Sequence, residues 1–236
     1  MLRTVEADGN AISYMLERKP VKNINLRIRA DQCVYVSAPK DVAAKMVDAF
    51  VVEKSAYILR ALKKFKDRNR ESTLENNFVN GETVKFLGRN LRLKVKNASR
   101  SKVESDESYV TLYVKDVQDA DLKKRVLETW LRKKCKDEIT AICKKVYPQV
   151  KKYGVAFPEI QLREMVSRWG SCSPKKGFMT FNTALIAMPV SCIEYVVTHE
   201  FTHFLYPNHS KKFYQQLATF MPDWEERKKR LEGRYQ

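Results

Sequence analysis

Histidine is scarce in this chain, with three residues among 236, and several other things are missing as well. No run of eighteen apolar residues occurs, which argues against a membrane-spanning helix. The amino terminus, Met1 to Lys19, mixes charges throughout and lacks the apolar stretch of a secretory signal. Both absences point to the cytoplasm. The five cysteines, Cys33, Cys135, Cys143, Cys172 and Cys192, are odd in number and include no C-x-x-C pair. Neither a disulfide framework nor a cysteine zinc knuckle is therefore expected, and free thiols in a reducing compartment fit. There is no internal repeat and no low-complexity tract. Acidic residues are also short, 28 against 45 basic ones, for a net charge of +17. That excess suits an anionic partner such as nucleic acid or an acidic surface, and the plainer reading of a solvated basic surface with no dedicated partner carries equal weight. A hydrophobic content of 44% supports a buried core.

What is present reads as α+β. The segments Ile12 to Leu16, Ile24 to Ile28 and Cys33 to Val36 are short and β-rich, separated by Arg18-Lys19-Pro20 and Ala30-Asp31-Gln32. They predict a small antiparallel sheet. Asp41 is placed to cap a helix running to about Lys66, and the charged Lys66 to Glu71 then reads as a loop. A second β-region holds Thr83 to Leu87, Leu91 to Val95 and Tyr109 to Val114, punctuated by Asn80-Gly81 and Gly88-Arg89-Asn90. From Asp119 a long helix is expected to run to Pro148, with Leu122, Val126, Trp130, Ile139, Ile142, Cys143 and Val146 inward and a lysine-rich face that includes Lys133, Lys134 and Lys136. Ile160 to Met165 and Phe178 to Asn182 read as strands, and Ser210 to Phe220 as a short helix. The change from β-rich to helical sequence near Asp116 to Asp119 suggests two regions, 1–117 and 118–236, unless the chain is one continuous domain.

All three histidines fall within Thr198 to Ser210, at His199, His203 and His209. Residues four apart on a helix project from one face, so His199 and His203 can close on one ion while Glu200 sits on the flank. Pro189 marks the start of their helix, whose apolar stripe is Ile193, Val196, Val197, Phe201, Phe204 and Leu205. Pro207 stops it. The reversal lets His209 swing back to the same ion, giving three nitrogens and an open fourth position, the layout of a catalytic zinc site. A bare H-E-x-x-H arises by chance in helices, and the third histidine beyond a helix breaker counts against chance. The alternative is that His209 is an exposed loop residue and Asp223, Glu225 or Glu226 is the third ligand.

Arg168-Trp169-Gly170-Ser171-Cys172, Asn182, Tyr195 to His203 and Asn208-His209-Ser210 together resemble the YgjP-like zinc metallopeptidase family, with a more distant likeness to SprT-like proteases. The opening strands with Val34 to Pro39 and the closing Met221-Pro222-Asp223-Trp224 extend the resemblance over nearly the whole chain. It implies a zincin-like catalytic region behind an N-terminal β-rich region with one helix, zinc on His199, His203 and His209, and Glu200 as catalytic base. Phe201 and Phe204 stand where the family often has leucine, which changes volume on the apolar stripe and leaves the ligands alone. The spacing of the histidines also resembles that of metzincins, but Tyr206 stands where those carry glycine. Arg168 and Asn182 are candidate substrate-binding residues; pairing with a local carboxylate is the competing role for Arg168. Trp169 reads as core or wall, and Cys172 as a buried, unreactive thiol.

The expected function is a zinc-dependent metallopeptidase hydrolysing peptide bonds of intracellular proteins, DNA-associated ones included, with the Phe178 to Asn182 strand holding extended peptide if it is an edge. The rival is a nucleic-acid-binding module whose zinc is structural or vestigial.

Overall fold

The structure, a computed structural model, describes all residues except 8, 29–32, 64–76, 166 and 234–236. The chain divides into two compact units, Met1–Glu75 and Asn76–Gln236. The Lys66 to Glu71 charge run and the Ala30-Asp31-Gln32 turn lie outside the described residues.

The first unit is a four-stranded sheet with helices. Strands β1 (Leu2–Ala7), β2 (Asn10–Arg18), β3 (Asn25–Ile28) and β4 (Val34–Ala38) are ordered β1-β2-β4-β3. The sheet is mixed, because β2 and β4 run parallel between two antiparallel pairs. The wholly antiparallel expectation failed because β3 lies at the sheet edge and pairs with β4 alone, which sets β4 beside β2 and parallel to it. The expected helix from Asp41 is instead α1 (Ala44–Glu53) and α2 (residues 55–63), separated by a turn at Lys54. Asp41 is not its cap; Ala43 is, without a side-chain bond. The fastening of α1 is polar. Asp48 accepts two bonds from the Arg3 guanidinium, at 3.0 and 2.7 Å, and one from the Tyr14 hydroxyl at 2.7 Å. Val47, Val51 and Ile58 close over Ile12, Tyr14 and Val36.

The second unit opens with the same strand order. Strands β5 (Thr83–Phe86), β6 (Arg89–Asn97), β7 (Lys102–Ser105) and β8 (Tyr109–Val114) are ordered β5-β6-β8-β7, again with a parallel central pair. The two units thus repeat one topology, although the sequences show no repeat. The inward residues Leu91, Leu93, Val110 and Leu112 share a core with Leu127, Cys135 and Ile139 of the long helix α3 (Ala120–Lys151). Residues on both sides of 117/118 therefore bury surface together, and the expected change of region lies inside this unit. Asp119 caps α3 by accepting from the Leu122 amide at 2.8 Å. Pro148 lies within its last turn rather than beyond its end. Despite its length α3 is charged, and no described helix is long and apolar enough to cross a membrane.

Three further strands, β9 (Glu159–Arg163), β10 (Gly170–Ser173) and β11 (Phe178–Asn182), form a sheet ordered β10-β11-β9. The central place of β11 follows from its burial, since Met179, Thr180, Phe181 and Asn182 are all inside. A 3-10 turn, Thr183–Ala187, leads into α4 (Val190–Thr202), followed by α5 (Lys211–Phe220) and α6 (Trp224–Gly233). The start of α4 is set by the β5–β6 hairpin. Its Leu87-Gly88 turn has positive φ at both residues, and their amides donate to the Ile186 and Ala187 carbonyls at 2.7 and 3.2 Å. A Cβ on Gly88 would come within 2.8 Å of Pro189 Cα, so only glycine admits this approach.

Candidate metal centre

Helix α4 buries Ile193, Val197 and Phe201 completely and turns His199 toward a cleft. Truncating a side chain such as Phe201 typically costs about 3–5 kcal/mol, so the orientation of the helix is firmly held. The helix ends earlier than Pro207, with His203 as its C-cap, and the chain then reverses through residues 203–205. Ser210 caps α5, its hydroxyl accepting from the Phe213 amide at 3.4 Å, which places His209 immediately before that helix.

The three imidazoles converge. Each offers a ligand nitrogen, and these atoms lie within 4.8 Å of one another. His199 Nε2 and His209 Nε2 are 3.0 Å apart, near the roughly 3.3 Å between two nitrogens that share a tetrahedral ion at ~2.0–2.1 Å. His203 Nδ1 donates to the Tyr206 carbonyl at 3.1 Å, which leaves Nε2 unprotonated and able to ligate. Phe213, fully buried, packs its ring 4.7–4.9 Å from all three histidine rings. It was invisible to motif reading, because its apolar periodicity on α5 marks only a core residue.

Among the described residues two buried side-chain polar atoms lack a hydrogen-bond partner, His199 Nδ1 and Glu200 Oε2, and both belong to this cleft. Each such atom ordinarily costs about 1–3 kcal/mol, so their concentration here marks a site built for something other than stability. Burial, then the neighbouring His203 and His209, pushes His199 down to about 3, and burial also lowers His203. Neutral imidazoles at neutral pH are the form that binds a metal. Burial raises Glu200 to about 8, with Arg168 pulling the other way. The donor set therefore fits a divalent ion, with a carboxyl group beside it that can exchange a proton.

The carboxylates offered as alternative ligands are not gathered here. Asp223 accepts from Arg227 Nε at 2.8 Å, and no carboxylate joins the histidine cluster among the described residues. Arg227 also pairs with Glu194, which takes Lys145 at 2.8 Å, and so ties α6 to α4 and α3.

Gly170 of the sheet packs against Glu200: a Cβ there would lie 2.7 Å from Glu200 Oε1 and 2.8 Å from Cγ. Its strand, β10, pairs only with β11 among the described residues. The sheet edge beside Glu200 is thus β10, and the expected edge strand, Phe178–Asn182, lies in the middle. Asn182 is buried and its amide is spent on the chain. It donates to the Met165 and Arg168 carbonyls at 2.7 and 3.1 Å and accepts from the Ala184 amide at 3.1 Å, fixing the segment that carries Arg168. Arg168 is exposed. Trp169 is half-buried against the core. Cys172 is also half-buried, and burial followed by the charge of Glu200 pushes its thiol up to about 12. No disulfide joins the cysteines.

The profile of a family described as YgjP-like, metallopeptidase domain, matches residues 22–234. Among solved structures, the metallopeptidase zymogen jannalysin of Methanocaldococcus jannaschii aligns with a TM-score of 0.36 and 19% identity, over 41% of this chain and 95% of that one. No curated protein sequence matches.

Proposed function

Since the chain belongs to the YgjP-like metallopeptidase family, we propose that it is a zinc-dependent peptidase in which His199, His203 and His209 hold the metal and Glu200 is the catalytic base. The observation that carries this reading is the convergence of three imidazoles beside a buried carboxyl group whose Oε2 has no partner. His199 on α4, His203 at its cap and the returning His209 support reading the site as zincin-like in its chemistry. Zinc held there would supply a Lewis acid that polarises the scissile carbonyl and makes water a usable nucleophile near neutral pH.

The chain's own residues do the rest. Glu200, whose ionised form a cation held beside it would favour, would take a proton on Oε2 from the attacking water as its oxygen bonds to the carbonyl carbon. The same proton passes to the amide nitrogen as the C–N bond breaks, so water is consumed and Glu200 is restored without a covalent intermediate. The open edge of β10 would hold an extended peptide by backbone pairing, giving weak sequence selectivity. Arg168, exposed beside that strand, would meet a substrate carbonyl or carboxylate, while Asn182 supports substrate binding by holding the Arg168 segment. The substrates proposed are cytoplasmic proteins, with the charge of +17 favouring those held on DNA.

The experiment is metal exchange. Chelator-stripped protein should not cleave an unfolded protein substrate, and stoichiometric zinc should restore cleavage. Zinc-loaded protein with no turnover would favour the rival, a binding module with a structural zinc, whereas cleavage that persists without metal would overturn the zinc-dependent mechanism.

A further inference from the structure

The solvent face of the β5-β6-β8-β7 sheet alternates cations with tyrosines. Strand parity sets the pattern: Leu91 and Leu93 of β6, and Val110, Leu112 and Val114 of β8, point into the core, so Arg92, Lys94, Lys96, Tyr109 and Tyr113 point outward. The register sets Arg92 beside Tyr109 and puts Tyr113 between Lys96 and Lys102. Lys94 Nζ lies 3.1 Å from the Tyr109 ring centroid, while Lys102 Nζ and Lys96 Nζ lie 4.4 and 5.9 Å from that of Tyr113. Arg92 is anchored by donating to the Gly81 carbonyl at 2.8 Å. Glu104, the one acid in the four strands, is already engaged by Lys102 at 2.7 Å and by the Tyr113 hydroxyl.

We infer that this face binds single-stranded nucleic acid, with Lys94 and Lys102 swinging off the Tyr109 and Tyr113 rings to take phosphates and so opening those rings to bases. Two partly exposed rings on one strand, about 13 Å apart at ~3.3 Å per residue, form a stacking platform framed by positive charge. A duplex hides its base faces and cannot use such a platform. An acidic peptide would use the lysines and leave the rings idle. Helix α3, the other basic element, is less suited. Its cations divide between two flanks of the buried stripe, and Lys133 and Lys145 are paired with Asp137 and Glu194. The inference stands apart from the peptidase reading, because none of these side chains belongs to the histidine cleft.

The test is fluorescence anisotropy of the full chain with a labelled oligothymidylate of roughly fifteen nucleotides, over about 50 to 200 mM salt. Lys94→Gln with Lys96→Gln should weaken binding on the order of tenfold and make the log–log salt slope shallower by about 1.4, at ~0.7 per lost phosphate contact. Tyr109→Leu with Tyr113→Leu should weaken it by roughly tenfold or more while leaving the slope unchanged. Lys133→Gln with Lys136→Gln on α3 should leave both unchanged. The inference is overturned if a duplex of equal length binds as tightly, if polyglutamate competes as well as the oligonucleotide, or if the sheet-face variants bind like wild type.

Discussion

Gly170→Ala is the sharpest structural probe of the cleft. The backbone of Gly170 is not left-handed, so alanine suffers no conformational penalty there, and whatever happens must come from the space that Glu200 occupies. The added methyl would sit 2.7 Å from Glu200 Oε1 and 3.0 Å from Cδ, short of ordinary contact by several tenths of an ångström. Glu200 is only 5% exposed and cannot swing into water without disturbing α4. Overpacking of this kind costs about 1–3 kcal/mol, and a displacement approaching 1 Å at a reacting group costs roughly 10²-fold in rate. Turnover of an unfolded protein substrate, measured beside denaturant unfolding and zinc content, separates the two effects. The expected result is intact zinc, modestly lower stability and a kcat reduced by one to two orders of magnitude. Wild-type kcat with full zinc would refute the idea that the Gly170–Glu200 approach positions the base.

Other outcomes follow from the same geometry. His209→Ala should lose zinc under mild chelation, whereas Asp223→Ala, whose carboxylate is taken by Arg227, should retain it; the reverse pattern in elemental analysis would reassign the third ligand. Phe213→Ala removes a ring packed on all three imidazoles and should cost about 3–5 kcal/mol in denaturant unfolding, with weaker zinc binding that Phe213→Leu partly recovers. Burial of Glu194 opposes its ionisation, but its bonds to Lys145 and Arg227 outweigh this and hold its pKa below the usual 4.5. Its contribution is therefore complete above that value and lost as pH falls through the depressed one, and Glu194→Gln should flatten the acid limb of a stability–pH profile measured by thermal melts.

Much of the site could be read from the chain because it is local. His199, Glu200 and His203 lie on one helical turn and its cap, and the reversal through residues 203–205 brings His209 back within ten residues of His199. What could not be read depends on contacts distant in sequence. Gly170 meets Glu200 only because β10 forms the sheet edge, and the strand order placing Phe178–Asn182 in the middle comes from pairing with both β9 and β10. Asn182 looked available for a ligand, yet its amide is consumed by backbone groups of residues 165–184, a polar role that composition does not distinguish from binding. The strands β1 and β7 were missed because they are short or half-exposed edges. That β5–β8 and α3 share a core is beyond a change in local periodicity, which says nothing about which surfaces bury each other.

The central claim is that the cleft is a hydrolytic site whose proton carrier is Glu200. Glu200→Gln preserves size and hydrogen bonding while removing the basic oxygen, and its zinc content and turnover can be measured side by side with wild type. The account predicts equal zinc and turnover reduced by at least roughly 10²-fold, the ordinary loss for a general base. Turnover equal to wild type at equal zinc would contradict it.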